Sequence, residues 1–442
     1  MNAGATAAAS RVLPRQAGFD YPSVERAAGL WLELTDGRRI LDACSGGAMT
    51  ACLGHGNEAV IAVAAEQGEQ LSYCYSHHFT NEPQESLARR LVEEVAPAMD
   101  RARFATGGSE ANETALRLLR SYHVECGDSD RWRVISPAQA YHGSLTGTLA
   151  LTGRESLRRN WDPYLVSQPH LGPAAWRDDP TGEEALAELD RILAEAGPET
   201  VAAYFCEPVS AAALPAFSPP EGFWRGLAER RAEHGFLIVC DEIVSGIGRT
   251  GSWFASDRLP FTPDIITAGK GLGGGFAPIS AVLCTAGVYD AIDQGSGDFD
   301  HGHTWDGAPL PCAVAEAVID QIVAGNLVAK VAAAGGAFRD QVAAAVGELP
   351  IVCDVRGCGF LVGIELDPGA TAPGAEQAIV EAGLRHDLLL AATDTVADGF
   401  VGDQVVLAPS FTAGAEELDL IVARTAAALV DLEMASAAPT GG

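Results

Sequence analysis

Residues 236–242 read Phe-Leu-Ile-Val-Cys-Asp-Glu, five apolar residues followed directly by two carboxylates. A short and nearly continuous apolar run is typical of a strand that is covered by helices on both faces of a sheet. Similar runs recur between residues 57 and 309, where they alternate with segments of helical periodicity. This alternation predicts βαβ units, a largely parallel sheet and therefore an α/β fold.

Three chemically reactive side chains lie at the ends of predicted strands. Glu207, Asp241 and Lys270 each come at the end of an apolar run. Ligands of parallel α/β sheets bind outside the carboxyl ends of the strands, so these residues are predicted to form one site. The strands that we predict in this region are 102–106, 132–136, 201–206, 236–240, 264–268 and 279–284.

The rest of the chain is predicted to form an N-terminal segment and a second, smaller α/β unit. The Asp36-Gly37 dipeptide between alternating residues predicts a hairpin over residues 29–43. We predict helical structure at 310–350, strands at 351–366, 388–391 and 404–408, and a closing helix at 414–434. We therefore divide the chain into an N-terminal segment that packs with the small domain, a large cofactor-binding domain and a small C-terminal domain: residues 1–56, 57–309 and 310–442.

Composition and charge exclude several classes of protein. The 442 residues carry a formal net charge of −30, whereas a nucleic-acid-binding surface needs clustered Lys and Arg. The sequence has no run of 18 apolar residues that would indicate a membrane span, and residues 1–10 lack the basic start of a signal peptide. The ten cysteines include no C-x-x-C pair. We predict no nucleic acid or membrane partner, no metal, and a cytoplasmic protein with reduced thiols.

Lys270 lies in the glycine-rich residues 267–275, Thr-Ala-Gly-Lys-Gly-Leu-Gly-Gly-Gly. Lys270 and Asp241 suit pyridoxal phosphate, because the lysine forms a Schiff base with its aldehyde and the aspartate holds a proton on its ring nitrogen. Both are therefore predicted to be catalytic. Without a cofactor they would be a surface lysine in a loop and a structural aspartate that caps a turn. A nucleotide-binding phosphate loop is disfavoured, because Gly271 follows the lysine where Ser or Thr is required.

A phosphate cradle is predicted at residues 106–112, Thr-Gly-Gly-Ser-Glu-Ala-Asn, which open a helix. Gly108 lets an anion approach the backbone, the helix N-terminus supplies N–H groups, and Ser109 offers a hydroxyl. The alternative is a simple N-cap by Ser109 without a ligand. Tyr141 is a candidate for the aromatic face that stacks on the ring, and Ile243 for the opposite face. Each of these two residues, taken alone, is also compatible with a structural role.

Five motifs together resemble those of the class III aminotransferases, the ω-aminotransferase group of the fold-type I pyridoxal-phosphate enzymes. They are Gly-Gly-Ser-Glu-Ala-Asn-Glu-Thr-Ala at 107–115, Tyr-His-Gly at 141–143, Glu-Pro-Val at 207–209, the run 241–251, and Lys270. The resemblance implies a large domain with a mostly parallel seven-stranded sheet and a small α/β domain. It implies that His142 and Glu207 also bind the cofactor. It further implies a homodimer in which Thr304 contacts the phosphate bound by the partner subunit. Whether two such dimers form a tetramer is left open.

Two departures from the family pattern concern the substrate. Where ornithine-type members carry an arginine for the substrate α-carboxylate, this chain has Ser144. Where other members carry a C-terminal carboxylate-binding arginine, it has apolar residues, near Ala391 and Val406. An ornithine, acetylornithine or 4-aminobutyrate substrate is therefore not expected. Other candidates for binding a carboxylate are Arg154, His77 and His78.

The resemblance implies an aminotransferase that moves an amino group from an amine or amino acid to a 2-oxo acid, through the Schiff base of Lys270. A racemase, an epimerase or a decarboxylating variant would use the same residues, since these reactions differ in which substrate bond stands perpendicular to the ring. Spectra separate the alternatives, because only transamination accumulates the pyridoxamine form. A nucleotide-binding protein would leave Lys270 without a role.

Overall fold

The N-terminal segment contains an antiparallel hairpin. It consists of β2 (Trp31–Leu34) and β3 (Arg39–Asp42), and β1 (Val24–Ala28) pairs with the outer side of β2. The predicted hairpin is thereby confirmed, with Gly37 in the turn at a φ of 89°. Strand β1 was not predicted. The computed structural model describes residues 11–14, 19, 21–172, 179–369, 375–395, 398 and 402–437.

The largest sheet of the described residues has seven strands in the order β4–β10–β9–β8–β7–β5–β6. They are β4 (Arg101–Ala105), β5 (Arg133–Pro137), β6 (His170–Leu171), β7 (Val201–Cys206), β8 (Leu237–Glu242), β9 (Ile265–Ala268) and β10 (Ser280–Cys284). The pairs β6–β5, β5–β7, β7–β8 and β8–β9 are parallel, and β10 runs antiparallel to β4 and β9. The predicted α/β fold with a mostly parallel sheet is confirmed.

Helices cover this sheet on both faces, so the central strands bury every residue. β7, β8, β9 and β10 have no exposed position, as their apolar runs indicated. Helix α3 shows the matching helical pattern, because it buries Ala111, Ala115, Leu118 and Leu119 on one side. The α-helices between residues 58 and 294 are α1 (Glu58–Gln70), α2 (Glu82–Arg90), α3 (Gly108–Glu125), α4 (Thr146–Leu151), α5 (Glu155–Arg158), α6 (Glu183–Ala196), α7 (Glu221–His234) and α8 (Ala286–Gln294).

The last third of the chain builds a separate antiparallel sheet in the order β11–β12–β15–β14. Its helices and strands are α9 (Pro309–Ala324), α10 (Leu327–Val346), β11 (Val352–Cys358), β12 (Leu361–Leu366), α11 (Ala375–Arg385), β13 (Leu388–Leu389), β14 (Ala391–Thr393), β15 (Gln404–Leu407) and α12 (Ala415–Ala437). β13 leaves this sheet and pairs in parallel with β3 of the N-terminal hairpin. The domain limits at residues 56 and 309 stay a prediction.

Four features of the strands were not predicted. The single strand predicted at 388–391 is two strands, β13 and β14, which belong to different sheets. β10 is antiparallel because the short connection 269–279 carries no crossover helix. β6 was not predicted, because its two residues are too few to show the alternation of a strand. Asp241 and Glu242 lie inside β8, since both carboxylates find buried partners there.

Helices α9 and α10 are the most apolar pair of the described chain. No single described helix is long and apolar enough to cross a membrane, and these two reach that length and composition only when taken together across a 62° bend. Helix α9 packs against both α1 and α2. Its buried residues include Val314, Val318 and Ile322, which follow one another at helical spacing.

Arg249, in the loop after β8, is one of the largest fully buried side chains and joins three parts of the chain. Its guanidinium donates to the backbone oxygens of Phe360 (3.0 Å) and Pro409 (2.5 Å), and to Ser45 Oγ (3.0 Å). It also lies 4.6 Å from the ring centre of Phe411. Burial lowers the pKa of Arg249 to about 10, so the group stays charged at neutral pH. Arg249 therefore connects the N-terminal segment and the last third of the chain to the large sheet.

Replacing Arg249 with alanine is expected to lower the free energy of unfolding by about 2–4 kcal/mol, because three buried acceptors lose their donor. Chemical denaturation of the purified protein measures this change. Arg225 on α7 is a matched control, since its side chain is 62% exposed and pairs with Glu221 of the same helix. Arg225→Ala should cost less than about 0.5 kcal/mol. Equal losses in the two variants would contradict the structural role of Arg249.

Candidate active site

Three of the predicted site residues meet at one edge of the large sheet. Strands β7, β8 and β9 are parallel neighbours, so their carboxyl ends open in the same direction. Glu207 follows β7, Asp241 is the penultimate residue of β8, and Lys270 follows β9. Both carboxylates are within electrostatic reach of the Lys270 amine. The arrangement places one amine beside two carboxylates at the position where α/β sheets bind ligands.

Lys270 is half-buried on a strained backbone. Its φ of 43° lies in the left-handed region, which costs a residue with a side chain about 1–2 kcal/mol. Burial lowers the pKa of Lys270, and the nearby Cys44, Asp241 and Glu207 oppose part of this effect. A lysine with a lowered pKa holds more neutral amine, the form that attacks an aldehyde and accepts a proton.

The Asp241 carboxylate is buried and held by three donors. Asn112 Nδ2 and His142 Nδ1 lie 2.7 and 2.8 Å from its Oδ2, and the Ile243 N–H donates to Oδ1 over 3.1 Å. The side chain is 5% exposed. Oδ1, with one donor, keeps lone-pair capacity for a ligand.

His142 reaches the site through Asp241. Its ring is fully buried and lies 4.8 Å from the ring of Phe205 in an edge-to-face arrangement. Its second ring nitrogen, Nε2, is buried and has no hydrogen-bond partner among the described residues. Since Nδ1 faces the carboxylate, His142 orients Asp241, and its assignment as a cofactor-binding residue stays a prediction.

Asn112 is a site residue that the sequence analysis missed. It belongs to the predicted cradle segment, but no role was given to its side chain. Its amide contacts both Asp241 and the backbone oxygen of His142, each at 2.7 Å. A signal was present in the sequence: Asn112 lies beside Ala111 and four residues from Leu116 on a helix with an apolar face. A polar side chain on such a face must find buried partners.

The predicted cradle lies at the start of α3, which follows the extended Gly107. The Ser109 hydroxyl does not cap this helix and instead accepts a hydrogen bond from the Ser144 N–H at 3.1 Å. The cap alternative is therefore wrong for Ser109. A Cβ atom on Gly108 would lie 2.9 Å from Ile243 Cγ2, so only glycine leaves this space open. The N–H groups at the start of a helix, next to an apolar side chain, fit a flat anionic cofactor.

Glu207 is a half-buried carboxylate held by neutral donors. Its oxygens accept from the Ala211 N–H (3.1 Å), the Ser210 hydroxyl (3.3 Å) and the Tyr141 N–H (3.5 Å). Burial raises the pKa of Glu207 to about 7, with Asp241 adding to the effect and His142 opposing it. Tyr141 is half-buried, and the contact of its backbone N–H with Glu207 places it next to the site.

The candidates for binding a substrate carboxylate are largely engaged elsewhere. Ala391 and Val406, near which the sequence analysis expected a family arginine to be replaced, pair with each other across β14 and β15. Arg154 donates to Asp398 Oδ2 and to the backbone oxygen of Asp394, both at 2.7 Å. These contacts commit Arg154 to the protein itself.

Two further candidates lie on the surface beside Thr304. His77 and His78 are exposed, and His77 stacks on Tyr75 with the ring centres 4.7 Å apart. Thr304 is exposed, and its backbone oxygen accepts from the Tyr73 hydroxyl at 2.9 Å. None of the described contacts joins Thr304 to the site of its own subunit.

Known proteins resemble this chain over most of its length. A family model described as aminotransferase class-III matches residues 15–429. The diaminobutyrate–2-oxoglutarate transaminase of Halomonas elongata is 31% identical over 407 residues, 88% of this chain and 86% of that protein. The putrescine–pyruvate aminotransferase of Pseudomonas aeruginosa is 28% identical over 413 residues, 90% of this chain and 88% of that protein. The solved omega transaminase from Pseudomonas jessenii in complex with PMP has a TM-score of 0.87 at 28% identity, over 95% of this chain and 94% of that one.

The raised pKa of Glu207 has a measurable consequence for stability. Between about pH 4.5 and pH 7 the folded state binds more protons at Glu207 than the unfolded state does, so stability falls as the pH rises. Glu207→Gln removes this titration. Relative to the wild type, the variant should gain up to roughly 3 kcal/mol between pH 5 and pH 8 in denaturation experiments. Glu229 on α7 is exposed, and Glu229→Gln should show the same dependence of unfolding free energy on pH as the wild type. The same dependence in Glu207→Gln would contradict the raised pKa of Glu207.

Proposed function

The chain belongs to the class-III aminotransferase family, and from this premise we propose which of its residues carry out the reaction. The enzyme uses pyridoxal phosphate and moves an amino group from an amine or amino acid to a 2-oxo acid. Its fold is that of the fold-type I transaminases. The relatives named above are transaminases, which favours amino transfer over racemisation or decarboxylation on the same scaffold.

Lys270 is the residue that anchors the cofactor and moves the proton. The observation that carries this proposal is its amine with a lowered pKa, beside Asp241 and Glu207 at the end of β9. Pyridoxal phosphate, when bound, supplies a ring that draws electrons from the carbon bearing the substrate's nitrogen. When its amine is free, Lys270 Nζ would take the proton from that carbon and deliver it to a carbon of the cofactor.

The other predicted residues hold the cofactor at its two ends and its two faces. Gly108 and Ser109, at the start of α3, receive the phosphate. Asp241 would hold the ring nitrogen, and Tyr141 and Ile243 would contact the two faces of the ring. His142 orients Asp241, and Glu207 fixes the Tyr141 backbone while it stays in electrostatic reach of Lys270.

The donor is an amine or an amino acid that is recognised without the family's usual arginines. Residues 386–423 contain no arginine, and position 144 is serine. Arg154 is bound to Asp398 and Asp394. The relatives act on diaminobutyrate and 2-oxoglutarate in one case and on putrescine and pyruvate in the other. A diamine-type donor and a 2-oxo acid acceptor fit both the relatives and the carboxylate-rich site.

We place the enzyme in a homodimer, with Thr304 reaching the phosphate of the partner subunit. The support is an exposed aromatic patch beside Thr304, which we define as Tyr73, Tyr75, Phe79 and Trp305. Phe79 is 66% and Trp305 53% exposed, and the rings of Tyr73 and Trp305 are 5.3 Å apart. A patch of this kind marks a protein interface. A cytoplasmic location is supported by the ten cysteines, which are all described and all free thiols.

Borohydride reduction of the purified enzyme tests the anchor. The chain has two lysines, Lys270 and Lys330, so peptide mapping decides between them directly. The label is expected on Lys270, and Lys270→Ala should lower turnover about a thousandfold or more. Lys330→Ala on α10 is the matched control and should keep full activity. A label on Lys330, or normal turnover of Lys270→Ala, would overturn the proposed mechanism.

A mixed dimer tests the partner role of Thr304. In a dimer of one Lys270→Ala subunit and one Thr304→Val subunit, one site has both changes and the other has neither, if Thr304 acts across the interface. This dimer should show about half of the wild-type turnover, with wild-type affinity for the cofactor at its working site. If Thr304 acts within its own subunit, the site that retains Lys270 also carries the Thr304→Val change, and weakened cofactor binding would show it.

A further inference from the structure

The amide of Asn112 connects four elements of the active site. Its Nδ2 donates to Asp241 Oδ2 and to the backbone oxygen of His142, both at 2.7 Å. Its Oδ1 accepts from the Thr267 hydroxyl at 2.7 Å. Asn112 lies in the first turns of α3, Asp241 in β8, Thr267 in β9 and His142 in the loop after β5. One side chain therefore joins the helix that carries the phosphate cradle to two strand ends.

The orientation of this amide is determined by its surroundings. Two acceptors, a carboxylate and a carbonyl, face the nitrogen of Asn112, and a hydroxyl faces its oxygen. The reverse orientation would set the amide oxygen against both acceptors. Thr267 must then donate its proton to Asn112, because an amide oxygen only accepts. Thr267 thus locks the amide in the orientation that serves Asp241.

The network is closed to water and spans a cross-strand pair. Asn112 is 1% exposed and Thr267 fully buried. Asp241 and Thr267 are direct neighbours in the β8–β9 register, and the Asn112 amide bridges their side chains. Buried charge-assisted hydrogen bonds of this kind are strong and costly to leave unmade. Such a network suits a carboxylate that must keep one position.

We propose that Asn112 and Thr267 are positioning residues that hold the Asp241 carboxylate at a fixed distance and angle from the phosphate cradle on α3. Asn112 lies one turn beyond Gly108 and Ser109, so the rigid helix transmits the position of the cradle to the carboxylate. His142 and Asn112 occupy Oδ2, and this leaves Oδ1, which accepts from the Ile243 N–H, as the oxygen that would hold the ring nitrogen of the cofactor. The inference rests on the proposed role of Asp241.

Four variants test the network in the full-length enzyme. Asn112→Ala removes the bridge, and Thr267→Val removes only the hydroxyl that locks it, with nearly the same shape. Thr267→Ser restores the hydroxyl. Thr425→Val on α12 is the matched control, because Thr425 is equally buried and its hydroxyl has no hydrogen-bond partner among the described residues. If Asn112→Ala does not fold, the isosteric Thr267→Val still decides.

The readouts separate positioning from general stability. Asn112→Ala and Thr267→Val should weaken the affinity for pyridoxal phosphate about tenfold or more, and should move the pH at which the absorbance band of the bound cofactor changes. They should lower kcat and leave the KM for the amine donor nearly unchanged. Thr267→Ser and Thr425→Val should bind and react like the wild type.

A double-mutant cycle with Asp241→Ala gives the decisive comparison. Without its carboxylate, Asn112 has nothing to position, so Asn112→Ala should change the cofactor affinity of Asp241→Ala less than about twofold. Additive losses, or wild-type affinity and spectrum in both network variants, would overturn the inference while Asp241 keeps its role. Wild-type affinity and spectrum in Asp241→Ala alone would instead overturn the proposed function of that residue.

Discussion

The buried carboxylate of Asp241 is the constraint around which the site is arranged. A charge at the end of a central strand loses its hydration, and this costs several kcal/mol unless donors replace the water. Asn112, His142 and the Ile243 N–H are those donors, and they come from three different elements. The adjacent Glu242 is also buried, and its carboxylate accepts hydrogen bonds from the backbone N–H groups of Ala255 and Ser256. One strand end thus organises both the site and the loop beside it.

Arginines around the cleft serve the fold. Arg249 supports backbone oxygens from two distant segments, and Arg154 binds Asp398 and Asp394. The cleft itself keeps one amine, Lys270, facing two carboxylates. This balance favours a substrate with a cationic group, which finds the carboxylates of Asp241 and Glu207 in the cleft.

The sequence predicted those features that depend on neighbours in the chain. Apolar runs located the central strands to within one or two residues, and Glu207, Asp241 and Lys270 followed from their positions at strand ends. Contacts between distant segments were beyond this reasoning. Asn112 meets Asp241 across 129 positions, and its role depends on which strands neighbour one another. The role proposed for Thr304 involves a second subunit, so the structure of a single chain does not test it.

The residues from Leu388 to Thr393 serve two sheets, with β13 on the N-terminal hairpin and β14 on the C-terminal sheet. The pairing of β13 with β3 joins segments that lie almost at opposite ends of the chain; Arg38 and Leu384, which touch beside it, are 346 positions apart. During synthesis β3 therefore leaves the ribosome long before its partner strand β13 exists. Strand β3 keeps one edge unpaired until β13 has emerged, so this pairing is expected to form late in folding.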